Sequence, residues 1–147
     1  MSSKIKPGCF ILVILMFAAC SREKNLYFTG IDSSGWDSSE PAYIFFDNSD
    51  TVSVRELIIF VRTTELFKYD KINLTVETMD PGRVYFTDTI SINIIHGNSG
   101  DTEVIYRSNV RLMKQGEYRV KFNHLLPETE VSGISGLGVK VKDNGKE

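Results

Sequence analysis

Ile72-Asn73-Leu74-Thr75-Val76-Glu77 alternates apolar and polar side chains without a break, and so does Ile90-Ser91-Ile92-Asn93-Ile94. Successive side chains of a strand point to opposite faces, so this period describes a strand buried on one side. A helix would repeat its apolar positions every three or four residues, and no segment does so convincingly for more than two turns. The two-residue period continues in Tyr118, Val120 and Phe122 against Arg119, Lys121 and Asn123. It returns in Leu137, Val139 and Val141 against Gly138, Lys140 and Lys142. One stretch differs: in Leu57-Ile58-Ile59-Phe60-Val61 both alternate sets are apolar, which predicts a central strand covered on both faces.

Further strands are expected at residues 26–29, 42–46, 83–86 and 104–112. Between them lie Asp47-Asn48-Ser49-Asp50, Asp80-Pro81-Gly82, Gly97-Asn98-Ser99-Gly100 and Lys114-Gln115-Gly116. These carry the residues that tolerate positive φ or close local hydrogen bonds, and so punctuate strands. About seven to nine short strands at this spacing predict an all-β fold, a single antiparallel β-sandwich of immunoglobulin-like or jelly-roll-like type. A closed barrel is the competing architecture. One-sided alternation argues against parallel sheets, which are buried on both faces.

Upstream of the strands, Lys4 and Lys6 precede the greasy run Phe10-Ile11-Leu12-Val13-Ile14-Leu15-Met16-Phe17-Ala18-Ala19-Cys20. A basic start, a short apolar core and small residues before a cleavage point describe a secretory signal peptide. A cysteine at the cleavage point makes it a lipoprotein signal, with residues 1–19 removed and Cys20 alkylated by a diacylglyceryl group. Phe17 stands where leucine is commonest. The apolar run is too short for the roughly 20 residues a spanning helix needs. Two acyl chains on one cysteine suffice for stable attachment, since each buried methylene contributes about 0.8 kcal/mol. The expected organisation is then signal peptide at 1–19, lipidated tether with one short strand at 20–40, and sandwich at 41–147. Beyond Cys20 the mature chain has no cysteine, which excludes disulfides and thiol catalysis. Loss of Lys4 and Lys6 moves the formal charge from −2 to −4. Such a mildly acidic, mixed surface points to neither nucleic acid nor anionic lipid as a partner.

Chemistry is hard to find. His96 and His124 each end an expected strand, without a second ligand at zinc spacing. Ser132-Gly133-Ile134-Ser135-Gly136 lacks the G-x-S-x-G elbow. Glu128 and Glu130 lack calcium-loop spacing, and no glycine-rich phosphate loop is present. Trp36 with Asp32, Asp37 and Glu40 is the one cluster that could hold a sugar or calcium, Trp36 and Asp37 being the candidate ligand or partner loop. The competing and favoured reading packs Trp36 on the sandwich edge with the acids in solvated turns. No enzyme activity, cofactor or metal is expected, and a small-molecule ligand is not favoured.

The order of these features resembles a known family. The cysteine signal, Trp36 before Pro41, the aromatic strand at Tyr43, the block "VRTTELFKYDKINL" from Val61 and the ending "VSGISGLGVKV" from Val131 are similar to the gliding-motility lipoprotein GldH family of the Bacteroidetes. That family has a glycine- and tryptophan-rich segment before its last three strands, whereas residues 96–101 here lack tryptophan. The resemblance implies a non-enzymatic, outer-membrane-associated interaction or scaffold lipoprotein, working with envelope proteins of a motility and secretion assembly. A carbohydrate- or other ligand-binding envelope lipoprotein is the alternative. Ser21-Arg22-Glu23-Lys24 is not the acidic run that follows the cysteine of surface-exposed lipoproteins in this phylum, so the periplasmic side is expected. Asp50-Thr51-Val52 and Asp88-Thr89-Ile90 resemble the O-glycosylation triplet of the same bacteria, which makes Thr51 and Thr89 candidate acceptors.

Overall fold

The computed structural model describes residues 25–95 and 100–144. The cysteine signal with Cys20, and His96, lie outside them. Ten strands follow in order: β1 (Leu26–Gly30), β2 (Trp36–Asp37), β3 (Ala42–Asn48), β4 (Arg55–Thr63), β5 (Lys71–Met79), β6 (Tyr85–Asn93), β7 (Gly100–Val110), β8 (Gly116–His124), β9 (Glu130–Val131) and β10 (Ile134–Asp143). Two four-stranded antiparallel sheets face each other, β1-β10-β4-β7 and β3-β8-β5-β6, with a small β2-β9 ribbon beside them. The fold is a sandwich and not a closed barrel.

The count exceeds the expected range because β2 and β9 are only two residues each, too short to show a period. Elsewhere two expected strands merge into one. The hydrogen bonds of Asp80 close the turn at Val84, and β6 runs unbroken from Tyr85 to Asn93.

Alternation places the core between the sheets. Ile59, Val61, Leu137 and Val139 from the first sheet meet Ile72, Leu74, Val76, Val120 and Phe122 from the second, all nearly sealed from solvent. Strand β4 is central and buried on both faces, as its two apolar sets require. Its outer face is covered by neighbouring strands and not by a further layer. Phe60 sits over Gly138 and stacks on Phe28, with ring centroids 5.9 Å apart. A side chain at Gly138 would occupy the space that the Phe60 ring fills. Glycine there trades strand propensity for an aromatic lid.

Both lateral seams of the sandwich are closed by side chains. On one side Tyr27 of β1 meets Phe46 of β3, ring centroids 5.3 Å apart. On the other, the Tyr106 hydroxyl of β7 donates to Asp88 of β6 at 2.6 Å, and Arg107 pairs with the same carboxylate.

Of residues 20–40, expected as a lipidated tether with one short strand, the described part holds that strand as β1 and packs against the domain along its length. Strand β1 pairs with β10 along its whole length, and β2 pairs with β9. Residues 31–38 are laced to 129–135 by four further bonds: Ile31 N–H to Ser135 O, Gly133 N–H to Ser33 O, Ser38 N–H to Thr129 O, and the Ser132 hydroxyl to Ser34 O. Polar turn residues hid this, because their pairing is made by backbone groups that composition does not reveal.

The strands give the sandwich two poles. At the near pole, Val141 N–H bonds Asn25 O, and the loops 49–54, 80–84 and 111–115 cluster. At the far pole lie the β2-β9 ribbon and the loops 31–41, 64–70 and 125–133.

Candidate functional site

Trp36 is 4 % exposed. Its indole N–H donates to Glu40 O at 2.7 Å, and its ring meets the edge of His124 at 5.0 Å. A ring so enclosed cannot stack on a sugar from solvent; in the candidate loop at Trp36 and Asp37 it packs into a corner of the sandwich. His124 is equally buried, with Nε2 on Trp36 O at 3.0 Å and Nδ1 accepting from Leu126 N–H. The Trp36 carbonyl can only accept, so Nε2 donates and the ring joins β8 to β2. Asp37 spends its carboxylate on the N–H and hydroxyl of Ser39, and Asp32 does the same with Ser34. These hydroxyl and amide donors hold both carboxyls below the usual carboxylate range. Each acid thus serves its own turn. Among the described residues, no group of three or more His, Cys, Asp or Glu is placed to hold a metal.

The surface that stands out is the outer face of the second sheet. Cross-strand register aligns Phe45, Arg119, Met79 and Tyr85 in one row, and Tyr43, Lys121, Glu77 and Thr87 in the next. Tyr43, Phe45 and Tyr85 are exposed, at 39 %, 51 % and 53 %. The Arg119 guanidinium lies 5.6 Å from the Tyr43 ring centroid and 5.8 Å from that of Tyr85, and Tyr43 stacks on Phe45 at 6.3 Å. Glu77 draws in Arg119 at 3.7 Å and Lys121 at 3.9 Å. The result is a flat patch of three rings around a braced arginine, on rigid strands. Sequence reasoning did not single it out, although the signal was present: Tyr43-Ile44-Phe45-Phe46 is apolar on both alternate sets, as β4 is. In β4 the second set is covered; in β3 it is open.

A concavity of about 290 Å³ opens between the sheets at the near pole. Leu57, Phe86, Val110, Leu112 and Tyr118 line it, with Arg107 and Arg111 at its margin.

The two candidate acceptor threonines differ in access. Thr89 is exposed on β6, whereas Thr51 is half-buried in a turn that Asp50 organises through Val52 N–H and Ser53.

A family model described as GldH lipoprotein matches residues 27–141. A "Gliding motility lipoprotein GldH homolog" from Christiangramia forsetii is 22 % identical over 159 residues, covering 97 % of this chain and 98 % of that protein. Among solved structures, an uncharacterized Listeria monocytogenes EGD-e protein in complex with glucose, magnesium and calcium aligns with TM-score 0.44 at 16 % identity over 80 % of this chain. This chain spans only 11 % of that one. A structure of the infectious bursal disease virus Gx strain aligns with TM-score 0.39 at 10 % identity, covering 83 % of this chain and 33 % of that chain. The family match includes the core strands and the buried corner at Trp36, and on it the chain belongs to the GldH lipoprotein family, a family related to gliding motility.

Proposed function

We propose that this protein is a non-enzymatic interaction or scaffold component of the outer membrane. In this reading lipid on Cys20 holds it on the periplasmic side. The outer face of the second sheet then contacts a protein of the motility and linked secretion apparatus. The observation that carries the reading is the patch of Tyr43, Phe45 and Tyr85 around Arg119. Tyrosine and arginine dominate the energetic centres of protein interfaces, because they offer large area with few rotors and a charge-assisted donor. Rings held on strands add little ordering cost on binding. Arg119 and Lys121, which share Glu77, offer donors to carbonyl or carboxylate groups of a partner, with the exposed Asp47 and Glu117 forming an acidic row beside them.

The test is crosslinking in native cells with identification of the bound proteins. The native chain is expected to give reproducible envelope-protein adducts. A Phe45→Ser/Tyr85→Ser/Arg119→Ser variant should lose them at least about tenfold, since each interface anchor contributes of order 2 kcal/mol. Adducts that persist unchanged in that variant would remove this face from the proposal. Titration with a glycan panel covers the alternative: saturable binding lost in the same variant would make the patch a carbohydrate platform. For O-glycosylation, exposure favours Thr89 over Thr51, and intact mass of the protein from native membrane reads the number of acceptors used.

A further inference from the structure

The near pole carries three loops whose tips are apolar and exposed: Val52 at 77 %, Val84 at 45 % and Met113 at 71 %. These loops are braced against one another. The Asn48 amide donates to Leu112 O and Lys114 O, each at 3.0 Å. Gln115 donates to Ser49 O at 3.2 Å, and Lys114 pairs with Asp80 at 2.8 Å. Asp50 and Asp143 flank Arg55 at the base. Tips held this firmly lose little freedom when they meet a surface. Arg83 and Arg111 stand beside them and have no ion-pair partner among the described residues.

The path of the chain says which surface they meet. Asn25 is fixed at this same pole by its bond from Val141 N–H. Cys20 lies five residues upstream, a covalent reach of at most about 17 Å. Strands of nine residues make the sandwich about 30 Å long, so a lipid on Cys20 can bring the near pole to a bilayer but not the far one. Charge points the same way. The far-pole loops carry seven acids and one base among the described residues, whereas the near-pole loops carry two acids and three bases. Leu66, Ile95 and Leu125 are also exposed at the far pole, so apolar tips alone do not distinguish the two ends. Reach and charge do.

We propose that the near pole is a membrane-docking surface: Val52, Val84 and Met113 enter the headgroup layer while Arg83 and Arg111 meet lipid phosphate. This rests on the reading of Cys20 as the lipid-bearing residue. Docked apolar tips and arginines add to the acyl anchor and fix the angle of the domain. The second sheet then stands upright from the bilayer, and its aromatic face looks sideways along it.

The mature chain with Cys20 acylated has no other cysteine, so single substitutions can be labelled cleanly. Val52→Cys, Met113→Cys, Leu66→Cys and Leu125→Cys are each spin-labelled in the full lipidated protein, in vesicles of phosphatidylethanolamine and phosphatidylglycerol. Flotation and the oxygen-against-nickel accessibility ratio are then read. The expected result is flotation of every variant, with labels 52 and 113 several-fold more accessible to oxygen than labels 66 and 125. Protein that floats with all four labels equally aqueous overturns the docking and leaves the anchor standing. Protein that fails to float overturns the anchor, and the docking with it. A Val52→Asp/Met113→Asp variant guards against label artefacts: it should float while label 84, on Val84→Cys, moves into water.

Discussion

Gly138 and Gly133 are two positions where a single methyl group decides the packing. A Cβ at Gly138 overlaps the Phe60 ring, and one at Gly133 runs into the Phe67 backbone, at a φ of 92° that other residues rarely adopt. Gly138→Ala is expected to destabilise the domain by about 1–3 kcal/mol in urea unfolding, the cost of overpacking a filled site. Combining it with Phe60→Leu should recover part of that loss, and strict additivity of the two changes would contradict the contact. Trp36→Ala should cost about 3–5 kcal/mol, because a full indole leaves the core and His124 loses its neighbour. Asp37→Ala is expected within about 1 kcal/mol by the same measurement, its bonds being local to an exposed turn. Individual residues were the least legible scale. Trp36 among acids looks like a ligand platform in one dimension. Only its burial in the folded core shows that the ring faces inward.

At the scale of strands and turns, apolar patterning, together with turn residues, located the eight longer strands, most of which keep one face on the core and one in water, with β4 covered on both. It could not locate β2 or β9, where two backbone pairs do all the work. Nor could it show that one apolar set in β3 is open while its counterpart in β4 is closed, since that depends on which strands are neighbours. The turns have their own signature in acid. Ser53 hydroxyl and backbone bonds hold Asp50 well below the usual carboxylate range, Lys114 lowers Asp80, and the Tyr106 hydroxyl lowers Asp88. A carboxyl whose folded pKa lies below its unfolded value of about 3.9 contributes stability that is complete above that value. The contribution is lost as pH falls through the folded pKa. Melting temperature should therefore be flat from about pH 6 to 7 and decline below about pH 4, and an Asp50→Asn/Asp80→Asn variant should show a shallower decline. An equal slope in both proteins would place acid sensitivity elsewhere. The seam offers a separate check: Tyr106→Phe removes one bond to Asp88 and should lower stability by about 1 kcal/mol at neutral pH.

For the molecule as a whole, fold class followed from alternation, but the join between signal region and domain did not, because β1 begins only six residues after Cys20. Cells fed radiolabelled palmitate should yield labelled protein, and Cys20→Ala should abolish the label without altering the fold, since the cysteine lies upstream of every described residue. Label retained on that variant would place the acyl chain elsewhere. The geometry of β1 bears on what happens once the protein is anchored at one point and gripped at another. Strand β1 starts at the near pole and runs towards the far pole, antiparallel to β10 over five paired residues, with Phe28 locked beside Phe60. A pull on residue 25 directed out of the near pole therefore acts along the axis of β1. It loads all of those backbone bonds in shear at once, instead of peeling them apart singly. A domain tethered this way can carry load from its tether across to a contact elsewhere on its surface without unravelling from the end that is pulled.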